Sequence, residues 1–139
     1  MIVWNEDYAT GVETVDQQHR MLILHINRLE EVLKNTKPTA PEIQIAHDVV
    51  AFLEQYANTH FKFEDQCMAS YRCPAHALNQ QQHGQFIEFF ERFNRKFQAE
   101  GFSVEAFEDL YKMTSAWITS HILRVDAQLL PCVQASRPN

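Results

Sequence analysis

Glycine is scarce in this chain, with three residues among 139, and this argues against a fold that depends on many tight turns. Long hydrophobic runs are also missing, since no apolar stretch approaches the roughly 20 residues that a helix needs to cross a bilayer. The N-terminus has neither the basic nor the apolar segment of a secretory signal. We therefore expect a cytoplasmic protein with no membrane partner.

Positive charge and cysteine are both in short supply. The net charge of −6 offers no basic surface for the phosphates of a nucleic acid, so we expect no nucleic-acid partner. The three cysteines, Cys67, Cys73 and Cys132, cannot all pair within one chain, which fits a reducing compartment. They show no Cys-x-x-Cys spacing, which disfavours a structural zinc site, and we interpret Cys67 and Cys73 as packed thiols.

Apolar residues make up 45% of the chain, with ten phenylalanines, and they recur with helical periodicity. Thr14 is the predicted N-cap of the first helix, and Pro41 is suited to the first turn of the second. The predicted helices are residues 14–35, 42–70 and 75–99, and a fourth that runs from a cap at Ser103 and stops before Pro131.

Short connections between four helices predict an all-α, antiparallel up-down four-helix bundle. Residues 1–13 are mixed in character and are predicted to form an irregular N-terminal arm. Residues 1–133 are assigned to one domain. Residues 134–139 are polar, and we expect a tail or the start of a linker.

Histidines and carboxylates lie within these apolar helices. His60 and Glu64 are four residues apart and share one helix face. The other helices carry further candidates, which are His19, His83, His121 and Asp126. Buried imidazoles and carboxylates are costly unless they are paired or bound to a metal. One such group from each helix at similar depth predicts a two-metal site bridged by carboxylates.

Spacing alone does not decide which of these residues belong to the site. Asp126 is five residues after His121, which places the two side chains about 140° apart on an ideal helix. We interpret His25 and His47 as surface or satisfied residues rather than ligands. Imidazole with carboxylate suits iron, manganese or zinc, and the ferritin-like di-iron pattern is disfavoured because the chain has no Glu-x-x-His motif.

Motifs in every predicted helix resemble those of the bacterial hemerythrins, over a stretch that extends from Val3-Trp4 to Asp126. Trp4, Tyr8 and Gly11 are similar to the N-terminal arm of that family. The helical motifs are Asp16-Gln17-Gln18-His19, His60-Phe61-x-x-Glu64-Asp65-x-x-Met68, His83-x-x-Phe86 and Trp117-x-x-x-His121-Ile122-x-x-x-Asp126.

The resemblance implies two non-heme iron ions that are oxo- or hydroxo-bridged when oxidised, with O2 or a related diatomic molecule as ligand. The implied ligands are Glu64 and Asp126 as bridges, His19 and His60 on the ion that binds O2, and His83 and His121 on the other ion. The family accommodates the spacing of five between the last histidine and aspartate. Candidates to line the O2 pocket, which otherwise serve as core residues, are Leu22, Phe61, Trp117 and Ile118.

The chain departs from the family pattern in the third helix, where Asn79 replaces the first histidine of a His-x-x-x-His pair. His76 lies one turn earlier on the same stripe. Three alternatives follow: the coordination position is open or taken by water, His76 replaces the missing ligand, or the amide oxygen of Asn79 coordinates. Loss of one imidazole leaves vacancies on both ions, which predicts fast autoxidation.

Three functions are compatible with such a site. The first is an O2- or redox-sensing domain that controls a signalling output C-terminal to this chain, for example a diguanylate cyclase or a chemotaxis module. The second is a free-standing O2 carrier or store, against which the missing histidine argues. The third is a di-iron enzyme of the oxidase or peroxidase type, ranked last because no acid or base residue beyond the ligands is evident. We therefore expect a sensing or binding domain without catalytic residues.

Overall fold

The computed structural model describes residues 1–136, which contain helices and no strand. The α-helices are α1 (Glu13–Leu33), α2 (Ala40–Gln55), α3 (Phe61–Ser70), α4 (His76–Glu100), α5 (Val104–Trp117) and α6 (Leu129–Ser136). A π turn at Tyr56–His60 joins α2 to α3, and a second at Ile118–Ile122 extends α5. The bundle helices are therefore α1, α2 with α3, α4 and α5, which confirms the predicted antiparallel four-helix bundle.

Local sequence explains most of the helix ends. Thr39 and Glu42 form a capping box at the start of α2, with Pro41 in its first turn as predicted. Ser103 accepts the backbone N–H of Ala106 at 3.1 Å and caps α5, which also agrees with the prediction. α4 ends at Gly101, whose φ of +78° is in the left-handed region.

The N-terminal arm is irregular, as expected, apart from a 3-10 turn at Glu6–Tyr8. The prediction that Thr14 caps α1 is wrong, because the helix begins at Glu13 after Val12 and has no side-chain cap. Thr10 instead donates its backbone N–H and its hydroxyl to Oδ1 of buried Asp16, both at 2.9 Å. These two bonds fix the entry of the arm into α1.

The fourth helix, capped at Ser103, stops before Pro131 as predicted, but a further helix that contains Pro131 was not predicted. After the π turn the chain bends at Val125, forms a 3-10 turn at Asp126–Gln128 and continues as α6. Pro131 is the third residue of α6, in the first turn, where its missing N–H breaks no helical hydrogen bond. Residues 134–136 belong to α6 and residues 137–139 lie outside the described residues, so a tail or linker there stays a prediction.

The apolar core has two parts. The larger fills the bundle between α1, α2, α4 and α5. The smaller, called here the α6 cluster, lies where α6 packs on the end of α3 and the start of α4, and consists of Met68, Cys73, Ala75, Val125, Leu129 and Val133. Within residues 1–136 no helix combines the length and the apolar character needed to cross a membrane.

Two glycines give a matched test of how α6 packs on the arm. Gly11 has a φ of +81°, and a Cβ there would lie 2.9 Å from Cδ1 of Leu130 in α6. Gly11→Ala is expected to lower the free energy of unfolding by about 1–2 kcal/mol, because a side chain disfavours this conformation. Gly84→Ala, inside α4 with nothing within 4 Å, should raise it by about 0.5–1 kcal/mol. Urea unfolding measures both, and equal effects would contradict this account.

Candidate metal centre

Six of the residues singled out in the sequence meet in the middle of the bundle. Their ligand atoms form two groups, and within each group all atoms lie within 4.8 Å of one another. The groups are His19, His60, Glu64 and Asp126, and His83, His121, Glu64 and Asp126. Both carboxylates therefore belong to both groups, and each group has two histidines of its own.

Each carboxylate directs one oxygen to each group. Oε2 of Glu64 lies 3.2 Å from Nε2 of both His19 and His60, and Oε1 lies 3.1 Å from Nε2 of His83. Asp126 is arranged in the same way, with Oδ2 3.2 Å from Nε2 of His19 and Oδ1 2.9 Å from Nε2 of His121. Two carboxylates that each face two sets of imidazoles have the arrangement of bridges between two cations.

The ligand atoms lie close together, but most of them make no well-formed hydrogen bond with one another. Glu64 and Asp126 are 0% and 1% exposed, yet none of their four oxygens makes a well-formed hydrogen bond, nor does Nε2 of His83 or His121. Buried polar atoms are normally paired, so these contacts have the distance of hydrogen bonds but lack their direction. Nε2 of His19 and Nε2 of His60 are 3.1 Å apart. Two nitrogens about 2.1 Å from one ion and 90° apart would lie at about that separation, so the residues fit a pair of cations.

Two of the four histidines in the ligand groups lie in the π turns. His60 is the last residue of one, and His121 lies in the other. A π turn leaves carbonyls without their usual helical N–H partner, and hydroxyl groups beside the histidines take their place. Thr59 donates to the carbonyl of Gln55 at 2.7 Å, and Ser120 donates to that of Ala116 at 2.6 Å. The hydroxyl residue before each histidine is a sequence signal that the initial reasoning missed.

The same irregularity explains how Asp126 reaches the site across a spacing of five. The π turn widens the helix at His121, as the bond from the N–H of Leu123 to the carbonyl of Ile118 shows. The backbone then bends at Val125 into a 3-10 turn that begins with Asp126. The 140° separation expected from an ideal helix therefore does not apply, and the two side chains meet at 2.9 Å.

Outer hydrogen-bond partners orient two of the imidazoles. Nδ1 of His60 contacts Oε1 of Gln18, and Nδ1 of His121 lies 2.6 Å from Oε1 of Gln82. Nδ1 of His83 is 3.5 Å from a carboxylate oxygen of Asp65 but makes no hydrogen bond. A proton held on Nδ1 by such an acceptor leaves Nε2 free to bind a cation. Sequence reasoning gave no role to Gln18 or Gln82, although each immediately precedes a ligand histidine.

Aromatic rings pack against the imidazoles. His83 stacks on Phe61 with ring centroids 3.9 Å apart, and His121 stacks on Trp117 at the same distance. His60 stacks on Tyr56 at 4.4 Å. The four residues predicted to line an O2 pocket are all buried in the larger core: Leu22, Phe61, Trp117 and Ile118. Their packing keeps water from the cluster, and their contact with O2 stays a prediction.

The position of the missing histidine is occupied by fully buried Asn79. Its Nδ2 donates to Oδ1 of Asp65 at 3.1 Å, and its amide oxygen has no hydrogen-bond partner. His76, at the start of α4, belongs to neither ligand group of the described residues, and its buried Nε2 makes no hydrogen bond. His25 and His47 are likewise outside both groups and pack edge-on against phenylalanine rings.

Burial and mutual charge shift the pKa values across the cluster. Burial opposes the charge of Glu64, but the surrounding histidines outweigh it and hold the pKa well below its usual range. Burial, together with the Glu64 charge, raises the pKa of Asp126 well above its usual range. Burial lowers the pKa of His60 to about 4 and that of His121 to about 3, whereas Asp126 and Glu64 overcome burial at His19 and raise its pKa to about 9. Protons held on the cluster would be released when a cation binds.

Known proteins match this chain over most of its length. A family model described as the Hemerythrin HHE cation binding domain matches residues 10–133. The bacteriohemerythrin of Stenotrophomonas maltophilia is 30% identical over 122 residues, which cover 88% of this chain and 74% of the relative. Those of Clostridium acetobutylicum and Methylococcus capsulatus are 28% and 24% identical, and the matches cover 94% and 97% of this chain and 99% and 98% of the relatives. The chain belongs to the hemerythrin family.

Proposed function

We propose that this domain holds two non-heme iron ions and binds O2 at the pair, acting as a sensor of O2 or of redox state. The observation that carries the proposal is the sharing of Glu64 and Asp126 between two groups of histidines. Imidazole and carboxylate suit iron, and the family binds non-heme iron. Bridged iron ions would supply the electrons that O2 accepts on binding.

The chain itself has three tasks in this proposal. Glu64 and Asp126 would hold the two ions, and their charges would offset part of the charge of the cations. Gln18 and Gln82 keep the proton of His60 and of His121 on Nδ1. The aromatic rings against the histidines keep water out, so that a small apolar molecule such as O2 enters more readily than an ion.

A sensing role is favoured over storage by two features. Asn79 takes the place of an imidazole, which lowers the number of strong donors on the ion of His83 and His121. Asp126 lies in the turn that leads directly into α6, so a change in its bonding on oxidation would act on α6. An output module C-terminal to this chain, such as a diguanylate cyclase or a chemotaxis module, would receive that change.

The second candidate is a free-standing O2 carrier or store. The observation that favours it is the coverage of the Clostridium and Methylococcus relatives, of which 99% and 98% are matched by this single domain. Relatives of this length therefore exist without a further domain. A catalytic role of the oxidase or peroxidase type has no comparable support, and we propose a binding rather than an enzymatic function.

Anaerobic iron loading followed by stopped-flow mixing with O2 tests the proposal. Two iron ions per chain are expected, and O2 should convert the colourless reduced protein rapidly to one with the absorption of an oxidised, oxo-bridged pair. A long-lived coloured O2 complex that is reversed by removing O2 would instead establish the carrier. His19→Gln should lose one or both ions, whereas His25→Gln, on the same helix but outside both ligand groups, should retain both. No spectral response to O2 in the iron-loaded protein would refute the proposal.

A further inference from the structure

We propose that Cys73 and Cys132 form a reversible disulfide site that fastens α6 to the segment before α4. The two thiols come from opposite ends of the second half of the chain, 59 residues apart. Neither residue belongs to the metal centre, so the inference stands on the geometry of the thiols and requires no metal.

The two sulfur atoms are already in direct contact. Sγ of Cys132 lies 2.6 Å from Sγ of Cys73, and both lie within 3.5 Å of the backbone carbonyl of Gln128. A disulfide bond is about 2.05 Å long, so a shift of about half an ångström would close it. Cys73 is held in the α6 cluster and Cys132 in the second turn of α6, which keeps the pair in register.

The pair is accessible from one side. An open cavity of about 470 Å³ is lined by both cysteines together with Tyr71, Arg72, Pro74 and Gln128. Cys132 is partly exposed in this cavity, whereas Cys73 is buried beneath it. A small molecule therefore reaches Cys132 first, and Cys73 completes the reaction. Cys67 is also partly exposed and packs on the α6 cluster, but among the described residues the hydrogen-bonded thiol pair is Cys73 with Cys132.

The oxidant that fits this arrangement is a small disulfide. The Cys132 thiolate attacks one sulfur of that disulfide, which forms a mixed disulfide and releases the first small thiol. Sulfur of Cys73 then attacks sulfur of Cys132, which forms the internal disulfide and releases the second small thiol. The two cysteines lose two electrons and two protons, and the small disulfide gains both. Burial and the neighbouring Cys73 raise the pKa of Cys132 to about 11, so the first step is slow at neutral pH.

Closing this bond would restrain the part of the chain next to Asp126. The disulfide would join α6 to the loop between α3 and α4, and Asp126 lies only a few residues before α6. In the reduced protein α6 is held by non-covalent contacts alone, which are those of the α6 cluster, of the thiol pair and of the arm at Gly11. In the oxidised protein a covalent bond is added, and the thermal midpoint should rise by on the order of 5 °C because a long loop is closed in the unfolded chain.

Incubation of the reduced full chain with oxidised glutathione tests the site. The number of free thiols after unfolding is expected to fall from three to one, with a peptide map that joins Cys73 to Cys132 and full recovery on reduction. Cys67→Ser is the matched control and should form the same bond and show the same rise in thermal midpoint. Cys132→Ser and Cys73→Ser should form no internal disulfide and show no rise.

Several results would overturn the proposal. These are three free thiols remaining in the wild type, stable glutathione adducts without an internal bond, a bond that includes Cys67, or a disulfide between two chains. Because Cys73 is buried, Cys73→Ser could lower stability for other reasons. Cys132→Ser changes a partly exposed residue, so this variant is compared with the wild type if the Cys73 variant does not fold.

Discussion

Replacement of Glu64 by Gln is expected to reduce bound iron from two ions per chain to one or none. Glutamine has the shape of glutamate but offers one neutral oxygen and an amide nitrogen that cannot bind a cation. In Glu64 one carboxylate oxygen faces His19 and His60 and the other faces His83. The single amide oxygen of glutamine can take the place of only one of them. Loss of affinity on the order of 100-fold or more is expected, since even outer partners of ligands contribute 10- to 100-fold. Iron analysis after removal of free metal measures this.

Glu54→Gln is the control for that experiment. Glu54 is exposed on α2, in the same bundle helix as Glu64, and lies outside both ligand groups. The control should retain both ions, and circular dichroism should show that both variants are helical. Retention of two tightly bound ions in a folded Glu64→Gln protein would contradict the assignment of Glu64 as a bridge.

Replacement of Asn79 by His is expected to slow autoxidation of the reduced, iron-loaded protein by about tenfold, or about 1.4 kcal/mol in the barrier. The new imidazole would restore the third histidine that the family pattern places on the ion of His83 and His121. A closed coordination position would keep solvent from that ion, which is expected to slow the loss of reduced oxygen from the pair. The rate is followed by the growth of the absorption of the oxidised pair after mixing with O2.

The adjacent residue provides the control. Gln80→His adds a histidine to an exposed position of α4 and should leave the rate unchanged. A rate in iron-loaded Asn79→His equal to that of the wild type would contradict the link between the missing histidine and fast autoxidation.

One more variant tests whether His76 is the substitute for the missing ligand. His76 belongs to neither ligand group of the described residues, which favours an open position or the amide oxygen of Asn79. His76→Ala should therefore leave iron content and autoxidation unchanged. A loss of iron in that variant would restore His76 as the substitute ligand.

Predictions from the sequence succeeded where one regular helix decides the geometry. His60 and Glu64 share a face because four residues make about one turn, and Ser103 and Pro41 have local roles that need no knowledge of the rest of the fold. The bundle itself follows from apolar periodicity and short connections. These features depend on neighbours in the chain, which the sequence displays directly.

Predictions failed or were incomplete where the backbone leaves the ideal helix. The spacing from His121 to Asp126 contradicted a common site only because an α-helix was assumed throughout. Helix α6 was missed because Pro131 was interpreted as a stop rather than as a first-turn residue. The Cys73–Cys132 contact joins residues far apart in the chain, and no local pattern indicates it.

The π turn at Tyr56–His60 changes which face of the bundle helix points inward between α2 and α3. Such a turn is equivalent to one extra residue in a regular helix, so α3 is rotated relative to α2 by about 100° from the position that an unbroken helix would give it. The turn therefore sets which residues of α3 face inward, and Glu64 is buried there together with Phe61 and Met68. Deleting exposed Asn58 would restore an ordinary helix and would turn Glu64 away from the metal centre, together with Phe61 and Met68, which α3 now buries in the two cores.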